Sequence, residues 1–230
     1  MAVYRLDREL WFPPHYEYED HGVVALGGDL SPARLLMAYR NGIFPWNNPG
    51  EPLTWWSPVK RMVLRPGEVK ISRSSRNLLN RRKFRVTADT CFEEVIDSCQ
   101  NIKRKGQEGT WLTDELKASL TEIHQLGFAH SIEVFEGEEL VGGLYGLSLG
   151  NLFFGDSMFS RVSNASKIGF IKLCQMLERE GFDLLDCQIY NEHLASLGAY
   201  EIPRGAFLNL VEANKKLPTT KGPWTEYFEE

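Results

Sequence analysis

The segment LLDCQIYN, residues 184–191, carries polar side chains within an apolar run. Because side chains alternate along a strand, Asp186 and Gln188 are predicted to lie on one face and Cys187 on the other. A carboxylate beside a carboxamide can accept or orient a proton and can hold a reacting group by hydrogen bonds. This pair is therefore our candidate for the catalytic centre. A carboxylate that only caps a turn or pairs with a lysine is the alternative for Asp186.

A glycine-rich hairpin precedes this segment and is predicted to face it. Its first strand contains ELVGGLYG, residues 139–146, and glycine weakens a strand unless another group must approach the backbone closely. After a turn at Gly150 and Asn151, alternation places Asp156 and Met158 on the same face of the second strand. A polar pair opposite such a hairpin is the pattern expected of an open catalytic cleft.

Basic residues are concentrated in one segment of an otherwise acidic chain. The net charge is −5, yet residues 60–85 contain ten basic residues and one acidic residue, Glu68. Such a stripe is typical of a phosphate-binding surface, and a solvated basic face without a ligand is the alternative. Trp46, Trp55 and Trp56 precede it, and tryptophans either anchor loops or stack on exposed bases. Trp46 is the favoured stacking residue because its surroundings are looped and polar.

The composition excludes several classes of protein. With 230 residues, of which 43% are hydrophobic and 25% charged, the chain can form one large domain and one small one. Its N-terminus mixes charged and apolar residues, unlike a secretory signal, and its longest uncharged run is too short and glycine-rich to span a membrane. The four cysteines form no C-x-x-C pair, which argues against zinc and against a disulfide framework. We therefore expect a cytoplasmic protein that makes no membrane contact.

The N-terminal region is predicted to form a separate small domain. A helix is predicted in it, with Ser31 as the N-cap and Tyr39 on the apolar face. We place a boundary near residues 58–62, so that residues 1–61 form the small N-terminal domain and residues 62–230 the larger one.

The order of elements in the larger domain indicates an α/β (α+β) fold. From Phe84 onward the pattern reads roughly β-α-α-β-β-β-α-β-α-β, with the last strand near residues 207–211. This is the order of the acetyltransferase-like (GNAT-type) mixed-sheet fold. In that fold the active cleft opens where the strands before and after the central helix splay apart.

Several long motifs along the chain are specific as a set. They are GGDLSPARLLMAYRNGIFPW (27–46), WWSP (55–58), ISRS (71–74), AHSIEV (129–134), ELVGGLYG (139–146), SMFSR with NASK (157–167) and DCQIYNEHLASLGAYEIPR (186–204). In this order they resemble the leucyl/phenylalanyl-tRNA–protein transferases. The resemblance covers about residues 13–210 and is far more specific than one short pattern.

The resemblance implies an enzyme that takes leucine or phenylalanine from its charged tRNA. The amino acid is attached to the α-amine of proteins or peptides that begin with Arg or Lys, which marks them for N-end-rule degradation. The implied partners are therefore an aminoacyl-tRNA and an acceptor protein, with no metal and no coenzyme. We also expect a monomer.

The reaction assigns roles to the polar residues. An aminoacyl ester is already activated, so alignment and help with one proton are sufficient. We hypothesise that Asp186 accepts or orients the amine proton, that Gln188 holds the acceptor or the developing oxyanion, and that Asn191 steadies either. Asp156 and Ser157 are expected to bind the positively charged acceptor residue, with an internal salt bridge as the alternative for Asp156.

The resemblance also points to an apolar pocket and a tRNA-binding surface. The pocket for the leucine or phenylalanine side chain would consist of Leu144, Met158, Phe170, Leu173, Leu177 and Leu185, which by periodicity alone are ordinary core positions. The residues expected to contact tRNA are Trp46 and Trp111 at the terminal adenosine, and Arg73, Arg76, Arg81, Arg82 and Lys83 at the phosphates of the acceptor stem.

Two departures from known patterns matter. Asp156 stands where the family that this sequence resembles usually has glutamate. Its side chain is therefore one methylene shorter. In SRVSNASKIG, residues 160–169, the one glycine comes late, so a coenzyme A pyrophosphate would lack its backbone cradle. A CoA-dependent N-acetyltransferase of the same fold is therefore disfavoured. A non-catalytic RNA-binding module is the other alternative, and it would leave Asp186 and Gln188 without a role.

Overall fold

The computed structural model describes residues 3–48, 50–102 and 111–228. The helices are α1 (Pro32–Arg40), α2 (Arg73–Asn80), α3 (Phe92–Asn101), α4 (Asp114–Gln125), α5 (Ala165–Arg179), α6 (Glu192–Ser196) and α7 (Arg204–Asn214). The strands are β1 (Tyr4–Leu6), β2 (Val23–Gly27), β3 (Phe44–Pro45), β4 (Thr54–Trp56), β5 (Lys60–Leu64), β6 (Arg85–Ala88), β7 (Ala129–Glu136), β8 (Glu139–Leu149), β9 (Leu152–Ser160), β10 (Leu184–Gln188) and β11 (Tyr200–Pro203). Within these ranges, none of the helices combines the length and the apolar character needed to cross a membrane.

The N-terminal part is a small sheet of order β1-β2-β4-β3 with α1 beside it. Helix α1 begins as predicted, because the Ser31 hydroxyl accepts a hydrogen bond from the Arg34 amide and Pro32 occupies the first helical position. Its buried side includes Leu35 and Tyr39. Tyr39 extends beyond this part of the molecule, since its ring packs edge-on against Phe154 of β9 at 5.6 Å.

The larger sheet has the order β11-β5-β10-β9-β8-β7-β6. Strands β7 to β9 form an antiparallel meander, and β6 pairs antiparallel with β7 at the edge of the sheet. Strand β10 pairs in parallel with β9 only from Leu184 to Asp186, which lie opposite Leu152 to Phe154. Beyond that point β9 pairs with β8 and no longer with β10. Strands β9 and β10, which α5 connects in the sequence, therefore diverge. The α/β fold and the splayed strands of the acetyltransferase-like arrangement are thus confirmed.

The glycines of β8 permit close packing within the protein itself. A Cβ atom on Gly142 would lie 2.7 Å from that of Ala165 in the first turn of α5, and one on Gly143 would lie 2.9 Å from the Phe159 ring. Both distances are below ordinary van der Waals contact. The close approach predicted from ELVGGLYG therefore brings the first turn of α5 and the neighbouring strand against β8.

The end of the chain differs from the prediction. Residues 207–211 were predicted as a strand, but they lie in helix α7, which follows Pro203 directly. Its buried residues Phe207, Val211 and Asn214 have the spacing of one helix face, a period that the short FLNLV pattern does not separate from a strand. The predicted domain boundary after residue 61 falls inside β5, and the division into domains 1–61 and 62–230 stays a prediction.

Candidate active site

A cavity of about 710 Å³ opens where β9 and β10 diverge. Its polar side chains come mainly from β9 and from the end of β10, and apolar residues of β8, β9, α5 and β10 form the remaining wall. The lining includes Trp46, Asn48, Trp111, Leu144, Tyr145, Phe153, Asp156, Ser157, Met158, Phe170, Leu173, Leu185, Cys187, Gln188, Asn191 and His193. A volume of this size and a mainly apolar wall with few polar groups are typical of a small-molecule site.

Asp156 is the carboxylate of this cavity. Its Oδ1 atom accepts hydrogen bonds from the Tyr39 hydroxyl at 2.6 Å and from Gln188 Nε2 at 2.7 Å. Its Oδ2 atom is buried and has no hydrogen-bond partner among the described residues. Burial raises the pKa of Asp156 to about 7, although the hydrogen bonds from Tyr39 and Gln188 act in the opposite direction. The group can therefore exchange a proton near neutral pH.

Tyr39 was predicted only as a core residue of α1, and its role at the cavity was missed. Burial, followed by the Asp156 carboxylate, raises the pKa of its phenol well above the ordinary value. The hydroxyl consequently stays protonated and donates to Asp156. No local sequence signal indicates this contact, because the two residues are 117 positions apart.

Asp186 does not line the cavity. Its Oδ1 accepts from Arg61 Nε at 2.7 Å and its Oδ2 from Arg61 Nη2 at 2.6 Å, and both side chains are only 1% exposed. The Arg61 guanidinium lies between the rings of Phe44 and Phe207, 4.6 and 4.5 Å from their centroids. The bidentate geometry and the two rings make this a fully desolvated ion pair. Arg61 therefore does not belong to the surface stripe of basic residues with which it was grouped.

The prediction that Asp186 and Gln188 share a strand face is wrong, because β10 is irregular there. The pairing of β10 with β5 shifts register between these residues, and Gln188 has a φ of +63°. This left-handed conformation turns Gln188 into the cavity, where Leu185 and Cys187 also lie. The Asp186 carboxylate holds the irregular backbone, since its Oδ1 accepts from the Gln188 amide at 2.9 Å.

The apolar wall contains most of the predicted aminoacyl-pocket residues. Leu144, Met158, Phe170, Leu173 and Leu185 all line the cavity. Leu177 does not, because one turn beyond Leu173 on α5 it is fully buried in the hydrophobic core. Two further wall residues, Phe153 and Cys187, were not predicted. Burial raises the pKa of the Cys187 thiol well above its usual value, which keeps it protonated and unsuited to act as a nucleophile.

Trp46 and Trp111 both border the cavity. Trp46 is 38% exposed and packs at an angle against Trp56, with ring centroids 5.7 Å apart. Trp55 is fully buried and donates from its indole nitrogen to the Gly27 carbonyl, as a structural anchor does. Of the three clustered tryptophans, the one predicted to stack on a base is the one with an exposed ring at the cavity.

Asn191 and Ser157, the other polar residues predicted for the site, also line the cavity. Asn191 is the N-cap of α6, where its Oδ1 accepts from the Leu194 amide at 3.2 Å, so its carbonyl oxygen already has a structural partner. Ser157 follows Asp156 along β9 in the cavity wall. His193 also lines the cavity, and burial lowers the pKa of its imidazole, with a smaller contribution from Lys167.

The predicted tRNA-binding basic residues form an exposed surface. Arg73, Arg76, Arg81, Arg82 and Lys83, here called the α2 stripe, are all exposed along α2 and the turn after it. Helix α2 packs on α5, and α5 carries Phe170 and Leu173 in the cavity wall. The stripe and the cavity are therefore connected through one helix. Lys83 has an exposed ion pair with Glu136 at 3.5 Å, which screens part of its charge.

Comparisons with known proteins show the family of this chain. A family model described as leucyl/phenylalanyl-tRNA protein transferase matches residues 63–212, and a model of its N-terminal domain matches residues 28–59. Three similar proteins carry the name leucyl/phenylalanyl-tRNA–protein transferase. The one from Flavobacterium johnsoniae is 52% identical over 92% of this chain and 100% of its own, the one from Syntrophus aciditrophicus 49% over 100% and 96%, and the one from Teredinibacter turnerae 55% over 88% and 79%. On these matches, which span almost the whole chain, it belongs to the leucyl/phenylalanyl-tRNA protein transferase family.

Proposed function

We propose that this protein transfers leucine or phenylalanine from an aminoacyl-tRNA to the α-amine of proteins that begin with Arg or Lys. The observation that carries the proposal is the cavity between β9 and β10, which combines an apolar wall, two tryptophans and a carboxylate with one oxygen that has no hydrogen-bond partner in the described part of the chain. Similar proteins carry the name leucyl/phenylalanyl-tRNA–protein transferase. The cavity offers a separate surface for each part of the reaction.

The apolar wall is suited to the aminoacyl side chain. Leu144, Met158, Phe170, Leu173 and Leu185 surround a space without a charged group of their own. Leucine and phenylalanine gain about 1.5–3 kcal/mol when such a wall removes them from water. Discrimination against isoleucine and valine then depends on shape, and a misplaced methyl group is worth about 1–3 kcal/mol.

The tryptophans are suited to the terminal adenosine that carries the ester. Trp46 presents an exposed ring, and Trp111 lies at the same cavity. Base stacking on such rings is worth about 1–3 kcal/mol per base and does not require sequence readout. With the adenosine held there, the esterified amino acid extends toward the apolar wall.

The polar residues are suited to the acceptor and to the reaction centre. Asp156 and Ser157 would bind the positively charged acceptor residue, and Gln188 would hold the acceptor or the developing oxyanion. Asp186 would act through its hydrogen bond to the Gln188 amide, with Arg61 fixing its orientation. Asn191 would serve the same region by capping α6.

The α2 stripe is suited to the phosphates of the acceptor stem. Replacing Arg73 or Arg76 by alanine should weaken tRNA binding and reduce the slope of log K against log salt concentration by about 1 for each phosphate that the protein no longer neutralises. Filter binding between low and moderate salt measures this. Lys216→Ala, which removes an exposed charge at the end of α7, is the matched control. An unchanged slope in both arginine variants would contradict the assignment.

The transfer itself is tested with purified protein, radiolabelled leucyl-tRNA and a peptide that begins with Arg. We expect label to appear in the peptide, and a peptide with an acetylated N-terminus to remain unlabelled because it has no free amine. Acetyl-CoA offered with the same peptide tests the acetyltransferase alternative. Labelling from acetyl-CoA but not from leucyl-tRNA would refute the proposal.

A further inference from the structure

We propose that Trp224 is a positioning residue that sets the depth of the aminoacyl pocket by supporting Phe153 in the pocket wall. This inference rests on the proposed transfer activity and names a residue that influences its choice between leucine and phenylalanine. Trp224 belongs to residues 219–228, here called the C-terminal segment, and it does not line the cavity itself. Any effect of Trp224 on the donor must therefore pass through the wall residue that it contacts.

The indole of Trp224 is part of the hydrophobic cluster that forms the apolar wall. Only 2% of the residue is exposed, and its ring centroid lies 5.5 Å from that of Phe153 and 5.9 Å from that of Phe182. The wall residues in the same cluster are Leu144, Phe153, Phe170, Leu173, Leu185 and Cys187. Because protein interiors are close-packed, a change of volume at Trp224 is transmitted to the packing that shapes the cavity.

Phe153 is the residue through which the indole reaches the cavity. It lines the cavity although none of its surface is exposed, so it closes the wall against the core. The backbone of β8 leaves room for its ring at Gly146, where a Cβ atom would lie 2.7 Å from Phe153 Cε1. Since Trp224 does not line the cavity, space freed by a smaller residue at position 224 lies on the core side of Phe153. The ring could then withdraw and deepen the cavity.

Trp224 is itself held in one orientation. Its amide donates to Asp89 Oδ2 at 2.8 Å, and its indole stacks on the His130 ring with centroids 3.8 Å apart and planes inclined by 4°. His130 Nδ1 lies 2.8 Å from the same Asp89 oxygen. Asp89 thus orients both the backbone of Trp224 and the ring on which its indole lies. Residues locked in this way by packing and hydrogen bonds are suited to support a binding site.

The rest of the C-terminal segment is attached at both ends. Thr219 Oγ1 accepts a hydrogen bond from the Gly150 amide at 2.8 Å, and the Tyr227 carbonyl accepts from Arg179 Nη2 at 2.8 Å. Between these points the segment contains neither an α-helix nor a strand. Tertiary contacts therefore determine where the indole lies. Arg179 is on α5, the helix that also contributes two residues to the apolar wall.

The size of the side chain at position 224 should therefore change the relative use of the two donors. Phenylalanine is the longer of the two side chains, so a wall that can withdraw favours it over leucine. One methylene in an apolar pocket changes kcat/KM about 10- to 200-fold. We expect an effect near the lower end of this range, because surrounding side chains relax into part of the space that a smaller residue leaves.

The test measures kcat/KM for transfer from leucyl-tRNA and from phenylalanyl-tRNA to a peptide that begins with Arg. Trp224→Leu should raise the ratio of the phenylalanine value to the leucine value about tenfold. Trp224→Phe frees less space and keeps a ring to stack on His130, so it should raise the same ratio about twofold to threefold. The smaller change keeps the inference testable if Trp224→Leu does not fold.

Leu120→Ala is the matched control, because Leu120 is as buried as Trp224 but belongs to a different hydrophobic cluster and does not line the cavity. It should lower both kcat/KM values together and leave their ratio within about twofold of wild type. A ratio that stays unchanged or falls in the folded Trp224 variants would overturn the proposal, since Trp224 would then only stabilise the core. A wild type that transfers neither amino acid would refute the proposed function instead.

Discussion

Replacing Arg61 with alanine is expected to lower the free energy of unfolding by about 3–5 kcal/mol, because the change leaves the Asp186 carboxylate buried without a counter-charge. Asp186 would lose both of its guanidinium hydrogen bonds. The space between the Phe44 and Phe207 rings, now filled by the guanidinium, would also be left empty. The loss thus combines an unpaired charge with a cavity, two of the mechanisms that cause large destabilisation.

Urea unfolding of Arg61→Ala, of a double variant and of a control measures this loss of unfolding free energy. Arg65→Ala removes an exposed arginine just after the same strand and should change the unfolding free energy by no more than about 0.5 kcal/mol. The double variant Arg61→Leu with Asp186→Leu should be more stable than Arg61→Ala, since it buries no unpaired charge. If Arg61→Ala loses less than the double variant, the pair is not the buried bridge described here.

Replacing Gln188 with alanine is expected to reduce the transfer rate about 10²–10³-fold, the usual effect of losing one donor that faces a developing oxyanion. Gln188 is the carboxamide whose Nε2 contacts Asp156 in the cavity. Its removal also leaves Asp156 Oδ1 with Tyr39 as its remaining described donor. Because a hydrogen bond from Gln188 lowers the Asp156 pKa, that pKa should rise in the variant.

The measurement is the single-turnover rate with saturating acceptor peptide. Gln175→Ala, which removes an exposed carboxamide on α5 outside the cavity, serves as control and should leave the rate within about twofold of wild type. Unfolding in urea should show Gln188→Ala to be folded, since the Gln188 hydrogen bond to Asp186 comes from its backbone amide. A variant that is folded and fully active would remove Gln188 from the chemistry.

Sequence periodicity indicated the strand that borders the candidate site, but it could not orient the side chains of that strand. Alternation along LLDCQIYN is a sound rule for a regular strand, yet one left-handed residue, Gln188, moves Asp186 and Gln188 to different surroundings. A positive φ at glutamine carries no compositional signal of the kind that glycine or Asn-Gly provides. Here the Asp186 carboxylate supports the conformation, so the cause lies in a tertiary contact and not in local propensity.

Contacts between residues far apart in the sequence were also not predicted. Arg61 was grouped with its basic neighbours and Tyr39 with the apolar face of its helix, and both groupings follow from composition and period alone. Their partners, Asp186 and Asp156, are more than 100 residues away. By contrast, the Ser31 cap, the hairpin of β8 and β9 and the divergence of β9 from β10 depend on local signals or on element order, and these were predicted correctly.

The phenol of Tyr39 has a consequence for how the protein becomes active. Because it comes from the N-terminal helix and meets a carboxylate of the larger sheet, neither part of the chain holds the complete site by itself. A chain that has folded only one of the two parts would therefore lack either the donor or the acceptor of this hydrogen bond. A mutation between the two parts, where Tyr39 contacts Asp156 and Phe154, is therefore expected to disturb the cavity as well as the packing.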